Sequence, residues 1–125
     1  MNLKQFSTKG IHIMVDAYGI KPELLDNIHY LHQLGKIAIA KSGASFVDMV
    51  VKKFSPYGCT LLFLLEESHI SFHTFIENLD DLERSYIAID AFTCSSADPE
   101  LAINYIVEQL KPKEVYKQHI VRGVR

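Results

Sequence analysis

A short apolar run that stops abruptly in a row of polar residues constrains this chain more than anything else in it. Leu61-Leu62-Phe63-Leu64-Leu65 reads as a buried strand, of the kind covered on both faces. It gives way to Glu66-Glu67-Ser68-His69, where two carboxylates, a hydroxyl and an imidazole follow one another without a spacer. Beyond the break the chain alternates. His69, Ser71 and His73 share one face of an extended segment, and Ile70 and Phe72 share the other. Proton-carrying groups at the end of a buried strand are costly unless they are satisfied or used. Function is therefore expected there.

The flanking segments frame that stretch. Gly10 to Tyr18 alternates, with Ile11, Ile13, Val15 and Ala17 on one side, and predicts a strand. Pro22 and Glu23 suit the first turn of a helix whose stripe is Leu24, Ile28, Leu31, Gly35 and Ala38, broadened by Leu25 and capped at Gly43. Ala44 to Phe54 predicts a second strand, Ser55-Pro56-Tyr57-Gly58 a turn, Cys59 to Glu66 the third strand and His69 to Phe75 the fourth. Ile76 to Ser85 is acidic and without strand period, a loop with room for one helical turn. Tyr86 to Cys94 alternates again. Ser95 to Pro99 opens a second helix, with Asp98 as N-cap and an apolar face of Leu101, Tyr105, Ile106 and Leu110. Pro112 ends it, and Val115 to Val121 is a last strand.

Strand, helix, several closely linked strands, helix and strand make an α+β class: a mostly antiparallel β-sheet with two helices on one face. The third strand is apolar throughout, so the opposite face is apolar too, and pairing of two copies as a homodimer would cover it. The 125 residues suffice for a single domain, 1–125. A net charge of −2 with scattered Lys and Arg, apart from a mildly basic end at Lys111 to Arg125, argues against nucleic acid. No apolar run reaches the roughly 18 residues of a membrane span, and the N-terminus lacks a signal peptide's apolar core. Two cysteines, Cys59 and Cys94, make neither a disulfide framework nor a zinc cluster. A cytoplasmic location is the expectation. His29 and His32 lie three apart on the first helix but have no third ligand in register, and nothing completes a metal set around His69 and His73. No metal is expected.

Three segments in order carry a resemblance: Phe54-Ser55-Pro56-Tyr57-Gly58, Glu67-Ser68-His69-Ile70-Ser71-Phe72-His73-Thr74 and Ala88-Ile89-Asp90-Ala91-Phe92-Thr93-Cys94. Together with Gly10-Ile11-His12, Asp98-Pro99 and Val121-Arg122-Gly123, they resemble the small prokaryotic S-adenosylmethionine decarboxylases. The resemblance implies a proenzyme that cuts itself between Glu67 and Ser68 into a β-chain, 1–67, and an α-chain, 68–125, headed by a pyruvoyl cofactor derived from Ser68. It implies His73 and Thr60 as processing residues, Thr60 standing where the family usually carries serine. It implies Cys94 as the acid that protonates the substrate α-carbon, Phe54 as the ring that stacks on adenine and Glu77 as the ribose ligand. The pyruvoyl carbonyl would hold the substrate amine as a Schiff base and accept the electrons left by carbon dioxide. The product would serve spermidine synthesis, and the assembly would be a homodimer of αβ protomers.

The departures cluster beside the nucleoside contacts. Phe75-Ile76-Glu77 lacks the family's proline and Asn78 to Ser85 is an apparent insertion; apart from these, Ser95 replaces the usual glycine after Cys94. Two other readings therefore stay open: a pyruvoyl decarboxylase of a basic amino acid such as arginine or ornithine, and a non-processing regulatory paralogue. Asp80, Asp81 and Glu83 in the insertion would face a cationic substrate in the first, or simply solvent. Cys59 is expected in the core.

Overall fold

The computed structural model describes residues 9–94 and 96–124, so Ser95 and Arg125 lie outside the described residues. The elements in chain order are β1 (Gly10–Tyr18), α1 (Pro22–Leu25), α2 (Ile28–Ser42), β2 (Phe46–Lys53), β3 (Cys59–Leu65), β4 (Ser68–Ile76), a 3-10 turn (Leu82–Arg84), β5 (Ser85–Cys94), α3 (Pro99–Leu110) and β6 (Glu114–Arg122). The strands form one antiparallel sheet ordered β2-β3-β4-β5-β1-β6. The α+β expectation holds.

Alternation decides the two faces of the sheet. Ile13, Val15, Leu61, Phe63, Ile70, Phe72, Ile87 and Ile89 are buried toward α2 and α3, which contribute Leu31, Ala38, Ile39, Ile103 and Ile106. Gly35 is what lets α2 come close: a Cβ there would lie 2.3 Å from Cζ of Phe63. Each large aliphatic chain so buried contributes roughly 1.5–3 kcal/mol. Among the described residues nothing covers the other face. Leu62 and Leu64, which the apolar run places in a strand covered on both sides, are 44% and 53% exposed on it.

Two helical expectations need correction. The single helix expected from Pro22 to Gly43 is broken at Asp26-Asn27, where the Asn27 side chain accepts a hydrogen bond from the Tyr30 amide at 3.0 Å and starts α2 afresh. An N-cap residue inside an apolar stripe looks like one more polar position from sequence alone. In α3 the buried face is Ala102, Ile103, Ile106 and Leu110, and Leu101 is exposed. The caps themselves are as expected: Gly43 is left-handed at φ +83°, and Asp98 accepts from the Glu100 amide at 3.0 Å.

Candidate functional site

The expected site residues gather at the two ends of β4. At its start, β3 and β4 are joined through Glu66-Glu67, and Ser68 has φ +152°, a value that residues with a side chain rarely adopt. Strain of this kind costs about 1–3 kcal/mol and persists only where neighbours impose it. The neighbours are visible. Ser45 clamps the turn from the β2 side: its carbonyl accepts from the Glu66 amide at 3.0 Å, and its amide donates to Oε1 of Glu67 at 2.9 Å. On the β5 side, the Cys94 amide and Cys94 Sγ both donate to the carbonyl oxygen of Glu67, each at 3.1 Å. The peptide between Glu67 and Ser68 is thus followed by a strained residue, and its carbonyl oxygen is held by two donors.

The opposite end of β4 carries a different set. Thr60 and His73 face each other across β3 and β4, with Thr60 Oγ1 3.0 Å from His73 Nδ1. They line a cavity of about 570 Å³ together with Phe54, Tyr57, Phe75, Glu77 and Tyr86. Phe75 and Tyr86 stack with ring centroids 4.6 Å apart, and Tyr18 stacks on the far side of Tyr86 at 4.8 Å. Burial, with Tyr18 and Asp16 nearby, pushes the Tyr86 hydroxyl above its usual range, so it stays a neutral donor. Glu77 is exposed and pairs with Arg84 of the insertion at 2.7 Å.

One separation organises all of this. Ser68 and His73 are five residues apart on an extended strand, about 17 Å at about 3.3 Å per residue. The structure brings Thr60, His73, Phe54 and Glu77 into one cavity, and Cys94 against the turn that carries Glu67 and Ser68. It does not bring the two groups together within a chain.

Comparison with known proteins gives the arrangement its family. The family model described as S-adenosylmethionine decarboxylase matches residues 11–123. The chain belongs to that family. A Bacillus cereus protein named S-adenosylmethionine decarboxylase proenzyme 2 is 40% identical over 121 residues, 96% of this chain and 94% of that one. A Thermococcus kodakarensis protein named S-adenosylmethionine decarboxylase proenzyme is 38% identical, covering 98% and 82%. Among solved structures, the adenosylmethionine decarboxylase from Aquifex aeolicus superposes with a TM-score of 0.81 at 31% identity, covering 96% of this chain and 95% of that one.

Several site neighbours in this S-adenosylmethionine decarboxylase family member escape a sequence reading. Ser45 acts through its backbone, which no residue type announces. His12 Nε2 meets Asp90 Oδ1 on the bare face, joining strands 78 residues apart. Both fall on the polar side of alternating strands, which marks the face without revealing the pairing. Of the acidic residues in the insertion, Asp81 caps the 3-10 turn by accepting from the Glu83 amide at 3.2 Å, and Glu83 pairs with Lys113. Cys59 is buried as expected, and burial pushes its thiol up. Among the described residues no group of three or more His, Cys, Asp or Glu is placed to hold a metal.

Proposed function

We propose that this chain is a self-processing S-adenosylmethionine decarboxylase that cuts between Glu67 and Ser68 and works as a homodimer whose sites are each built from two copies. The observation that carries the processing reading is the Glu67 carbonyl, which receives both the amide and the thiol of Cys94 beside a strained Ser68. Attack by the Ser68 hydroxyl on that carbonyl places negative charge on an oxygen that already has two donors at 3.1 Å, within the reach an oxyanion hole requires. Collapse breaks the peptide C–N bond and leaves an ester with the Ser68 amine released, relieving the strain. A base then takes the Ser68 α-proton, the Glu67 carboxylate leaves from Cβ, and water replaces the resulting imine nitrogen, which departs as ammonia. Glu67 ends the β-chain, and the α-chain begins with a pyruvoyl group.

The residues present fit such a group. Ser68 is held in a strained conformation directly after Glu67, and the Cys94 thiol reaches the Glu67 carbonyl oxygen. The pyruvoyl supplies an electron sink for decarboxylation. Cys94 holds a proton at Sγ for return to the substrate α-carbon. Phe54, Phe75 and Tyr86 offer flat apolar faces to an adenine, and Glu77 offers paired acceptor oxygens to ribose hydroxyls once Arg84 yields, a small cost for an exposed ion pair. A basic amino-acid substrate is not favoured. Asp81 and Glu83 are engaged locally, and among the described residues Glu77 is the one carboxylate in the cavity lining.

The base for the α-proton is assigned to His73, positioned by Thr60. Since His73 stands about 17 Å from Ser68 on its own strand, it serves the Ser68 of a second copy. The bare face supports that pairing. Val50, Leu62, Leu64, Phe75, Tyr116 and Ile120 are exposed there, more apolar surface than a soluble monomer usually leaves open. Strand spacing and rise give the face roughly 750 Å², about one partner's share of a standard interface. A twofold axis between the two sheets and running across the strands would lay the Ser68 end of each copy over the His73 end of the other.

The test is the denatured intact mass of the purified protein, together with carbon dioxide release from carboxyl-labelled S-adenosylmethionine, arginine and ornithine. Two fragments meeting at Glu67 and Ser68, the second lacking its amine nitrogen, with release from S-adenosylmethionine alone, are expected. Ser68→Ala should give one uncut, inactive chain. Turnover by that uncut variant would refute the pyruvoyl reading.

A further inference from the structure

The turn that carries Phe54 into the cavity is tied down from beneath by a residue outside it. Asp26, three-quarters buried at the break between α1 and α2, accepts at Oδ1 from the Gly58 amide at 2.8 Å and from Lys53 Nζ at 2.6 Å. Lys53 Nζ donates onward to the Phe54 carbonyl at 3.2 Å, and the Phe54 amide donates to the Gly58 carbonyl at 2.9 Å. One carboxylate oxygen therefore touches both ends of the 54–58 turn, directly at Gly58 and through Lys53 at Phe54. Gly58 accepts no side chain here: at φ +100°, a Cβ would sit 3.0 Å from the Thr74 carbonyl oxygen. The helix break that defeats the expected single helix thus has a use. A continuous helix through residue 26 would not end in a carboxylate aimed at this turn.

We propose that Asp26 is a positioning residue for substrate binding: through Lys53 and the Gly58 amide it fixes Phe54 against the cavity and neutralises the ammonium that holds the Phe54 carbonyl. Both effects act on the same ligand. A sulfonium nucleoside is a cation, and an uncompensated Lys53, bonded to the carbonyl of the cavity-lining Phe54, would repel it. A loosened turn would also leave Phe54 to be ordered at the moment of binding, which lowers affinity. Neither effect touches the Glu67–Ser68 bond at the far end of β4. This inference rests on the cavity being the nucleoside site, and the experiment separates the two.

The variants are Asp26→Asn, Asp26→Glu and Phe54→Ala, each purified as processed enzyme and assayed for KM and kcat with S-adenosylmethionine. Binding of 5′-methylthioadenosine, an uncharged nucleoside, is measured alongside. Asp26→Asn should raise KM about tenfold with kcat within about twofold, as loss of uniform binding does. Asp26→Glu, which keeps the charge, should recover part of that loss. Methylthioadenosine should weaken less than S-adenosylmethionine, because it lacks the charge that Lys53 repels. An unchanged KM in Asp26→Asn while Phe54→Ala raises it would overturn the role of Asp26 and leave the cavity assignment standing. An unchanged KM in Phe54→Ala would overturn the cavity assignment itself. A fall in kcat at constant KM in Asp26→Asn would make Asp26 a structural residue only.

Discussion

The two ends of β4 are built on opposite principles. At the Ser68 end the working groups are backbone: a strained φ, a carbonyl oxygen, and amides from Ser45 and Cys94, with the Cys94 thiol as the added side chain. At the His73 end they are side chains around a cavity, where an imidazole is oriented by a hydroxyl among the rings of Phe54, Tyr57, Phe75 and Tyr86. The first end is suited to making or breaking one particular bond in the chain. The second is suited to holding something that arrives. A sheet whose helices cover one face leaves both ends exposed on the other, where a second copy, turned end for end, can bring them together.

If the ends differ in this way, substitutions at them should fail differently. The larger effect is expected at Cys94. Cys94→Ala keeps the amide donor and removes the thiol, so self-cleavage should slow about 100-fold, in line with loss of one oxyanion donor. Whatever enzyme is eventually processed should be deficient in turnover too, since the same thiol is assigned the proton return. Timed denaturing mass spectra after a pulse of synthesis would follow the first effect and stopped assays the second. Cleavage at the normal rate would remove the thiol from the processing account.

A smaller effect, confined to processing, is expected at Thr60. Thr60→Val removes the hydrogen bond that fixes His73 while keeping the shape, and a lost bond to a part-buried partner is worth about 1–1.5 kcal/mol. Self-cleavage should slow roughly tenfold, Thr60→Ser should retain the normal rate, and KM for S-adenosylmethionine should hold for the processed fraction. A KM change as large as the processing change would mean that Thr60 contacts substrate and that the division between the ends is less sharp.

The sequence made one of these ends easier to read than the other. Glu67, Ser68 and Cys94 were legible as candidates because they are named by residue type within recognisable segments, and the structure places them together. The sheet and its buried face followed from period-two alternation in β1, β4 and β5, which burial confirms at Ile13, Ile70 and Ile89. What stayed hidden depends on backbone or on distance. The Ser45 clamp has no side-chain signature, and the Asp26-Asn27 break lies inside an unbroken apolar stripe. The span between Ser68 and His73 is implicit in any strand. It matters only once the strand is known to be paired without a break from Ser68 to His73, as its register with β3 and β5 shows.

The most direct measurement co-produces two differently tagged chains, one carrying Ser68→Ala and the other His73→Ala. It then asks by denatured mass whether the His73→Ala chain is cut. Alone, neither chain should cleave. In the mixed dimer, one site joins the intact Ser68 and Cys94 of the His73→Ala chain to the intact Thr60 and His73 of its partner, so that chain should split between Glu67 and Ser68. Cleavage in the mixture and in neither chain alone is the predicted result. If the His73→Ala chain cuts itself when produced alone, or stays whole in a confirmed mixed dimer, the site is not shared between two copies.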